Sequence, residues 1–328
     1  MNKSIRRHFI AALAASAALV SGLPALAADA WPSRPITLLV NGGPGSLPDL
    51  FARPLADRLG TTLGQSVVVD NKPGAGGMVA LQQLKQAPAD GHTLAVVTNA
   101  HMVWNPYVFA QLPYNPATDF QAVSPISVIP MALVVNPQLP AKTLPELIAL
   151  AKKEPGKLNY ASSSPGSPPH VLFEMLRGQM GVDIVHVPFK TGTQALTSVV
   201  ASNVQIYFAG TSLVEPMVKD GRLRVLAVSP HVNVPAFANA PTLKSLGYPG
   251  YENAVWLGLI AKTGTPDHVV QRLNDEVAKA LQDPAMQQAM LGHGALPYHA
   301  SATDFVQRIS DERQTWGPAL KKMGLPTN

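Results

Sequence analysis

Short apolar runs rich in β-branched residues alternate with segments of helical periodicity, and that rhythm is the strongest constraint on the fold of this chain. Ile36-Thr-Leu-Leu-Val40 reads as a buried strand. Asp49 to Leu59 follows, with Leu50, Phe51, Leu55 and Leu59 at helical spacing. Val67 to Val69 is the next strand, and a glycine-rich turn, Pro73 to Gly77, leads into a helix through Leu81 and Leu84. Thr93 to Val97 is again a strand. The pattern resumes with strands at Ala132–Val135, Leu158–Ala161, Ile184–Val187, Val204–Phe208 and Val225–Val228. Helices are expected at Leu144–Lys153, Pro168–Met180 and Gln194–Ala201. Continuously apolar strands separated by helices predict an α/β fold with parallel sheets covered on both faces. The end of the chain is helical. Thr265 is placed to cap a helix opened by Pro266 and striped by Val269, Val270, Leu273, Val277 and Leu281. A last helix, Thr303–Lys322, is expected to bury Phe305, Ile309 and Trp316.

The first 27 residues have the form of a secretory signal. Lys3, Arg6 and Arg7 precede an apolar run from Phe9 to Leu23, and Ala25-Leu26-Ala27 supplies small residues before a cleavage site at Ala28. The run is too short for a comfortable membrane span. Removal leaves 301 residues, enough for two domains or one large one. Three of the 25 basic residues lie in the leader, so the remainder carries 22 against 20 acidic ones. Near-neutral charge without a basic cluster speaks against nucleic-acid binding. With no cysteine, disulfides, thiolate metal sites and cysteine nucleophiles are excluded. A Gram-negative periplasm fits these features.

Three Gly/Ser/Pro-rich segments follow strands, where open α/β sheets bind ligands. They are Asn41 to Asp49, Ser162 to His170, and Ala209 to Ser212. Backbone N–H groups at such turns suit an anion such as a carboxylate. Each segment alone is also what helix caps and tight turns look like. Gly74 to Gly77 lacks the spacing of a dinucleotide or P-loop motif, and Pro48 stands where Gly43-Pro-Gly45 would need a third glycine. No GxSxG elbow is present, and Ser163, His170 and Asp49 form a triad only by conjecture. The nine histidines show no metal-ligand spacing, and no cofactor is expected. His186 reads as a packed strand-end residue, whereas His101 and His170 lie near the candidate loops.

Several segments resemble the extracytoplasmic solute-binding receptors of tripartite tricarboxylate transporters, the Bug proteins. They include Trp31-Pro-Ser-Arg-Pro-Ile36, Val68-Val-Asp-Asn-Lys-Pro-Gly-Ala-Gly-Gly77, Ala89-Asp-Gly-His-Thr-Leu94 and Leu112-Pro-Tyr-Asn-Pro116. Pro155 to Ser163, Asp183 to Lys190, Gly221 to Val228 and the Trp316-Gly tail also match. The resemblance implies a two-domain Venus-flytrap fold with two interdomain crossings. Domain 1 would be residues 28–131 plus 254–328 and domain 2 residues 132–253, with crossings near Met131 and Asn253. The chain would close around a small carboxylate and deliver it, as a monomer, to membrane permease subunits. A ligand-presenting component of a sensor-kinase system is the alternative, and a secreted hydrolase a distant third.

By the same resemblance, ligand contacts come from the first two loops. The family's Pro-Phe-Pro-Pro-Gly-Gly-Ser-Thr-Asp is here Asn41 to Asp49, which keeps Pro44, Gly45 and Asp49. Loss of the Phe and gain of glycine are expected to widen this wall. In the second loop Ser162, Ser163, Gly166, Ser167 and His170 match, while Pro165, Pro168 and Pro169 replace polar residues and stiffen the loop. The family's Phe-Asp-Asn is Phe208-Ala209-Gly210 here, which removes a carboxylate. The expected ligand residues are Gly43, Gly45, Ser46, Asp49, Ser162, Ser163, Ser167, His170, Phe189, Ala209 and Thr211. Phe189 or Trp104 is a candidate aromatic face. Few acidic groups and an apolar wall suit a carboxylate without an amino group, either a dicarboxylate or an aromatic, phthalate-type acid.

Overall fold

The computed structural model describes residues 31–74, 77–163, 165–229, 234–252 and 255–323. The expected leader and the crossing expected near Asn253 lie outside these residues. Arg34–Asn328 forms one compact unit, to which everything below belongs. Its strands are β1 (Ile36–Val40), β2 (Val67–Asn71), β3 (Thr93–Thr98), β4 (Phe120–Val128), β5 (Met131–Val135), β6 (Asn159–Ser162), β7 (Val185–Pro188), β8 (Ile206–Gly210), β9 (Arg224–Val228), β10 (Trp256–Lys262) and β11 (Leu296–Pro297). Its helices are α1 (Leu47–Leu63), α2 (Met78–Gln86), α3 (Asn105–Val108), α4 (Leu144–Lys153), α5 (Pro168–Met180), α6 (Gly192–Val200), α7 (Thr211–Lys219), α8 (Asp267–Gln282), α9 (Pro284–Gly292) and α10 (Ala302–Met323). A π-helical turn, Ala100–Trp104, precedes α3.

Two sheets organise the molecule. One has the order β11-β4-β10-β3-β1-β2 and the other β7-β6-β8-β5-β9. Strands joined through helices are parallel, as in β1–β2, β1–β3, β6–β7 and β6–β8. The expectation of wholly parallel sheets is corrected by the strands that carry the chain between sheets. β10 runs antiparallel to β3 and β4, and β5 antiparallel to β8 and β9. A chain that leaves a sheet and returns from the far side re-enters it reversed, a constraint invisible in local periodicity. The outward crossing is only Ile129-Pro130, so Met131 already opens a strand of the second sheet. Ile129 N–H donates to Val255 O at 2.9 Å, and Met131 N–H to Ser229 Oγ at 2.9 Å, which ties the crossing to the returning chain.

Local chemistry explains the element ends. α4 starts where Thr143 Oγ1 accepts Glu146 N–H at 3.3 Å, while Glu146 reaches back past the cap to Lys142 N–H at 2.6 Å, a variant of the capping box. Thr143→Ala is expected to cost about 1 kcal/mol in denaturant unfolding, with an unchanged m-value. α8 is not capped as expected. Thr265 is buried and donates its hydroxyl to Lys262 O at 2.8 Å, so Pro266 takes the cap position. α10 buries Phe305, Ile309 and Trp316, as the sequence predicts. It lies against β4, the π-turn and α5, so one helix touches elements around both sheets.

Candidate functional site

The first candidate loop leaves the carboxyl end of β1 and enters α1 through Gly45 (φ 77°) and the N-cap Ser46 (φ −69°, ψ 157°). Gly45 N–H donates to Asp49 Oδ2 at 2.8 Å, and Ser46 N–H to Gly43 O at 3.0 Å. The second loop leaves β6 and enters α5 through Gly166 (φ 76°) and the N-cap Ser167 (φ −68°, ψ 158°). Here Gly166 N–H donates to His170 Nδ1 at 2.9 Å. The two turns are the same device: a left-handed glycine, a serine cap, a proline in the first helical turn, and a side chain four residues on that holds the glycine amide. The left-handed conformation explains why both positions are glycine.

Side chains from distant segments brace the first loop. Asp49 is only 2% exposed, and both its oxygens are spent. Arg53 Nε donates to Oδ2 at 3.0 Å and Asn71 Nδ2 to Oδ1 at 2.9 Å, with Arg53 Nη2 at 2.8 Å from Oδ1. Burial alone would push this carboxyl up, but the donors Arg53, Gly45 and Asn71 outweigh it and hold it below the usual range. Asn71 also donates to Gly42 O at 2.9 Å. On the other side Asn41 Nδ2 lies 2.9 Å from His101 Nε2, while Thr98 N–H donates to His101 Nδ1 at 3.2 Å. An Nδ1 that accepts leaves the neutral-ring proton on Nε2, which suits the Asn41 amide oxygen better than its nitrogen. Whichever way the amide is turned, one of its polar atoms is left without a partner among the described residues, as is the buried Ser46 Oγ. Gly77 (φ 89°) makes this packing possible, because a Cβ there would run into the His101 ring and fall 3.0 Å from Asn41 Cβ.

The expected ligand residues therefore fall into distinct roles. Asp49 is a loop brace and has no free oxygen for a ligand. The amides of Gly45 and Ser46 are also taken up inside the turn; Gly43 N–H has no partner among the described residues. The Ser46 side chain fills the space beside the Gly42 Cα. Ser162 is buried, and its Oγ pairs with His186 Nε2 at 2.7 Å. Ser163 is partly exposed at the loop itself, and Ser167 occupies the N-cap position of α5. His170 is buried beneath the loop. Phe189 packs against the core of the second sheet, and Trp104 is wholly buried against Trp316, with ring centroids 5.7 Å apart. Trp104 is thus core and not an aromatic face for a ligand. The third loop does not exist. Ala209 is a strand residue paired with Ala132, and α7 begins at once with Thr211, whose N–H donates to Pro130 O at 2.9 Å. Both residues are buried, so neither presents a loop amide. Nor do Ser163, His170 and Asp49 assemble as a triad, since His170 Nδ1 and both Asp49 oxygens are occupied as above.

Both loops abut the segment that follows β3. The first reaches it through Asn41 and His101. The second does so at Gly166, where a Cβ would come within 3.1 Å of Val108 Cγ1. A sequence profile described as the tripartite tricarboxylate transporter family receptor matches residues 51–325. The chain belongs to this receptor family. A UPF0065 protein of Bordetella pertussis is 33% identical over 95% of the chain and 96% of its own length. Protein BugT of the same organism is 32% identical over 91% and 92%. Among solved structures, R. palustris Rpa4515 with adipate is 32% identical with a TM-score of 0.77, covering 91% of this chain and 100% of that one. MatC (Rpa3494) from Rhodopseudomonas palustris with bound malate is 28% identical with a TM-score of 0.74, over 88% and 100%. The receptor therefore has the two-domain α/β fold of the periplasmic Bug proteins. Among the described residues no helix is long and apolar enough to cross a membrane.

Sequence reasoning missed Asn71 and Arg53 as site residues, whereas His186 is the packed strand residue it predicted, stacked between His170 and Tyr160. The Asn-Lys-Pro-Gly stretch carrying Asn71 was visible as a motif, and Asn71 and Gly77 now give it a physical purpose.

Proposed function

We propose that this receptor works in the periplasm, after removal of residues 1–27, and captures a small dicarboxylate between two domains for delivery to its membrane permease. The domains would divide by sheet, one built on β1–β4 with β10 and β11 and the other on β5–β9. The observation that carries the reading is the pair of matching Gly-Ser turns, one at a strand end of each sheet, with unpartnered polar atoms of Asn41 and Ser46 at the first. Leaving such atoms buried and unpaired costs about 1–3 kcal/mol each. The two R. palustris relatives, one solved with adipate and the other with bound malate, support a dicarboxylate. The burial of Trp104 weighs against an aromatic acid. Closure would follow from the ligand's differential affinity for the closed state.

The test is thermal unfolding of the mature protein with linear dicarboxylates, tricarboxylates, aromatic acids and amino acids. A ligand at 100 times its dissociation constant adds about 2.7 kcal/mol, a midpoint shift of several degrees. The largest shift is expected from a dicarboxylate. A larger shift with an amino acid than with its deaminated analogue overturns the ligand class. No shift for any acid after unfolding and refolding, which removes a co-purified ligand, overturns the carboxylate reading. Ser167→Asp sets like charge against the ligand and is expected to weaken binding about tenfold or more with the fold intact.

A further inference from the structure

The two matching turns differ in what latches them. Asp49 holds the Gly45 amide with a carboxylate, whereas His170 holds the Gly166 amide with an imidazole nitrogen. A carboxylate accepts over the whole neutral range. An imidazole nitrogen accepts only while it carries no proton. The latch therefore requires neutral His170 with its proton on Nε2.

The surroundings of His170 oppose a second proton. The ring is 3% exposed and stacks on His186 with centroids 4.0 Å apart and planes at 12°. His186 stacks in turn on Tyr160 at 4.8 Å. From its own helix the ring is faced by Glu174 and Arg177. Glu174 is already engaged: Tyr160 OH donates to its Oε1 at 2.7 Å and Arg177 Nη2 to its Oε2 at 2.6 Å. Asp183 lies 3.8 Å from Arg177, and Lys322 of α10 lines the same hollow as Glu174 and Arg177. Glu174, the carboxylate that acts on the imidazole pair, is thus largely spent on other partners. Burial first, and then Arg177, lower the His170 pKa against the pull of Glu174. Burial and the neighbouring His170 push His186 down to about 4.

We propose that His170 is the positioning residue of the second cleft loop and makes that loop proton-sensitive: neutral His170 fixes the Gly166 turn, and protonation releases it, while the Asp49 latch on the Gly45 amide is unaffected. Protonated Nδ1 is a donor facing the Gly166 N–H, so the bond is replaced by a donor–donor repulsion. Weaker ligand binding in acid follows if this loop binds the carboxylate, as proposed above. The positioning role itself does not depend on that reading, and the test needs no ligand.

The experiment follows the Gly45 and Gly166 amides of the ligand-free mature protein by proton–nitrogen NMR and hydrogen exchange between about pH 7 and about pH 4.5. Gly166 is expected to lose roughly tenfold or more of its protection in one transition below about pH 6.5, with Gly45 unchanged. His170→Asn keeps an acceptor oxygen with the reach Asp49 has in the first loop, but cannot titrate. It is expected to retain Gly166 protection near pH 7 and to abolish the transition. His186→Phe keeps the stack, and because His186 is held down to about 4 it carries no charge while His170 titrates, so the transition is expected to persist close to its natural position. A pH-independent Gly166 amide in the natural protein overturns the proposal. So does a transition that survives His170→Asn, or one that vanishes in His186→Phe. The His186→Phe arm keeps the proposal testable should His170→Asn fail to fold.

Discussion

Replacing Phe305 with alanine is expected to lower the unfolding free energy by about 3–5 kcal/mol and the thermal midpoint by roughly 6–15 °C. Phe305 is wholly buried on α10 and meets Trp256 edge-on, with ring centroids 4.9 Å apart. It presses onto β10 at Gly258, where a Cβ would overlap the tip of the ring and lie 2.7 Å from Cε1. This glycine is needed for close approach, not for its backbone angles. Gly258→Ala is therefore expected to cost about 1–3 kcal/mol by overpacking. The two changes relieve each other, since the smaller side chain at 305 makes room for the methyl at 258. In a double-mutant cycle the combined loss should be smaller than the sum by about 1 kcal/mol or more. Strict additivity would mean that α10 does not seat on the sheet through this contact. The consequence reaches beyond stability, because α10 also packs on the π-turn and on α5, and Trp316 lies between Trp104 and Tyr251.

What was legible in the sequence was what is local. The helices Leu144–Lys153 and Pro168–Met180 match the expected limits, because proline starts, a threonine cap and a left-handed glycine end are encoded within a few residues. β4 was missed although all of it but Gln121 is buried. Its Ser124-Pro125-Ile126-Ser127 stretch has the composition of a loop. The strand tolerates the proline because its pairing with β10 carries irregularities between Leu257 and Gly258 and between Leu259 and Ile260. β10 itself owes its reversed direction to the return from the second sheet. In the site, the two loops were legible as glycine- and serine-rich strand ends. The roles inside them were not, because Asn71 braces Asp49 from 22 residues away and His101 meets Asn41 across 60. A carboxylate or imidazole on a candidate loop reads as a ligand group until its partners are known. Here those partners turn Asp49 and His170 into structural latches.

Asp49→Asn tests the latch of the first loop with almost no change of shape, and it is expected to cost about 3 kcal/mol at neutral pH. Every group around Asp49 is a donor: the Gly45 N–H, two nitrogens of Arg53 and the Asn71 amide. A carboxylate can accept from all of them. An asparagine offers one oxygen, and its NH2 group must face a donor whichever way it turns. The figure stays near the lower end for breaking a buried charge pair because the Arg53 side chain is about half exposed and can return to water. Two measurements separate the charge from the shape. The donors hold the Asp49 carboxyl below its usual value of 3.8, so this site stabilises the fold above that pH and loses its contribution as the pH falls through the folded value. The stability gap between natural protein and variant, read from urea unfolding, is therefore expected to be constant near neutrality and to close below about pH 4. A gap that persists unchanged in acid would assign the loss to packing and not to the carboxylate. Ligand affinity should fall about tenfold or more with the loop, whereas His170→Asn at neutral pH should leave it nearly unchanged. The two latches are built alike, but only the first depends on a permanent charge.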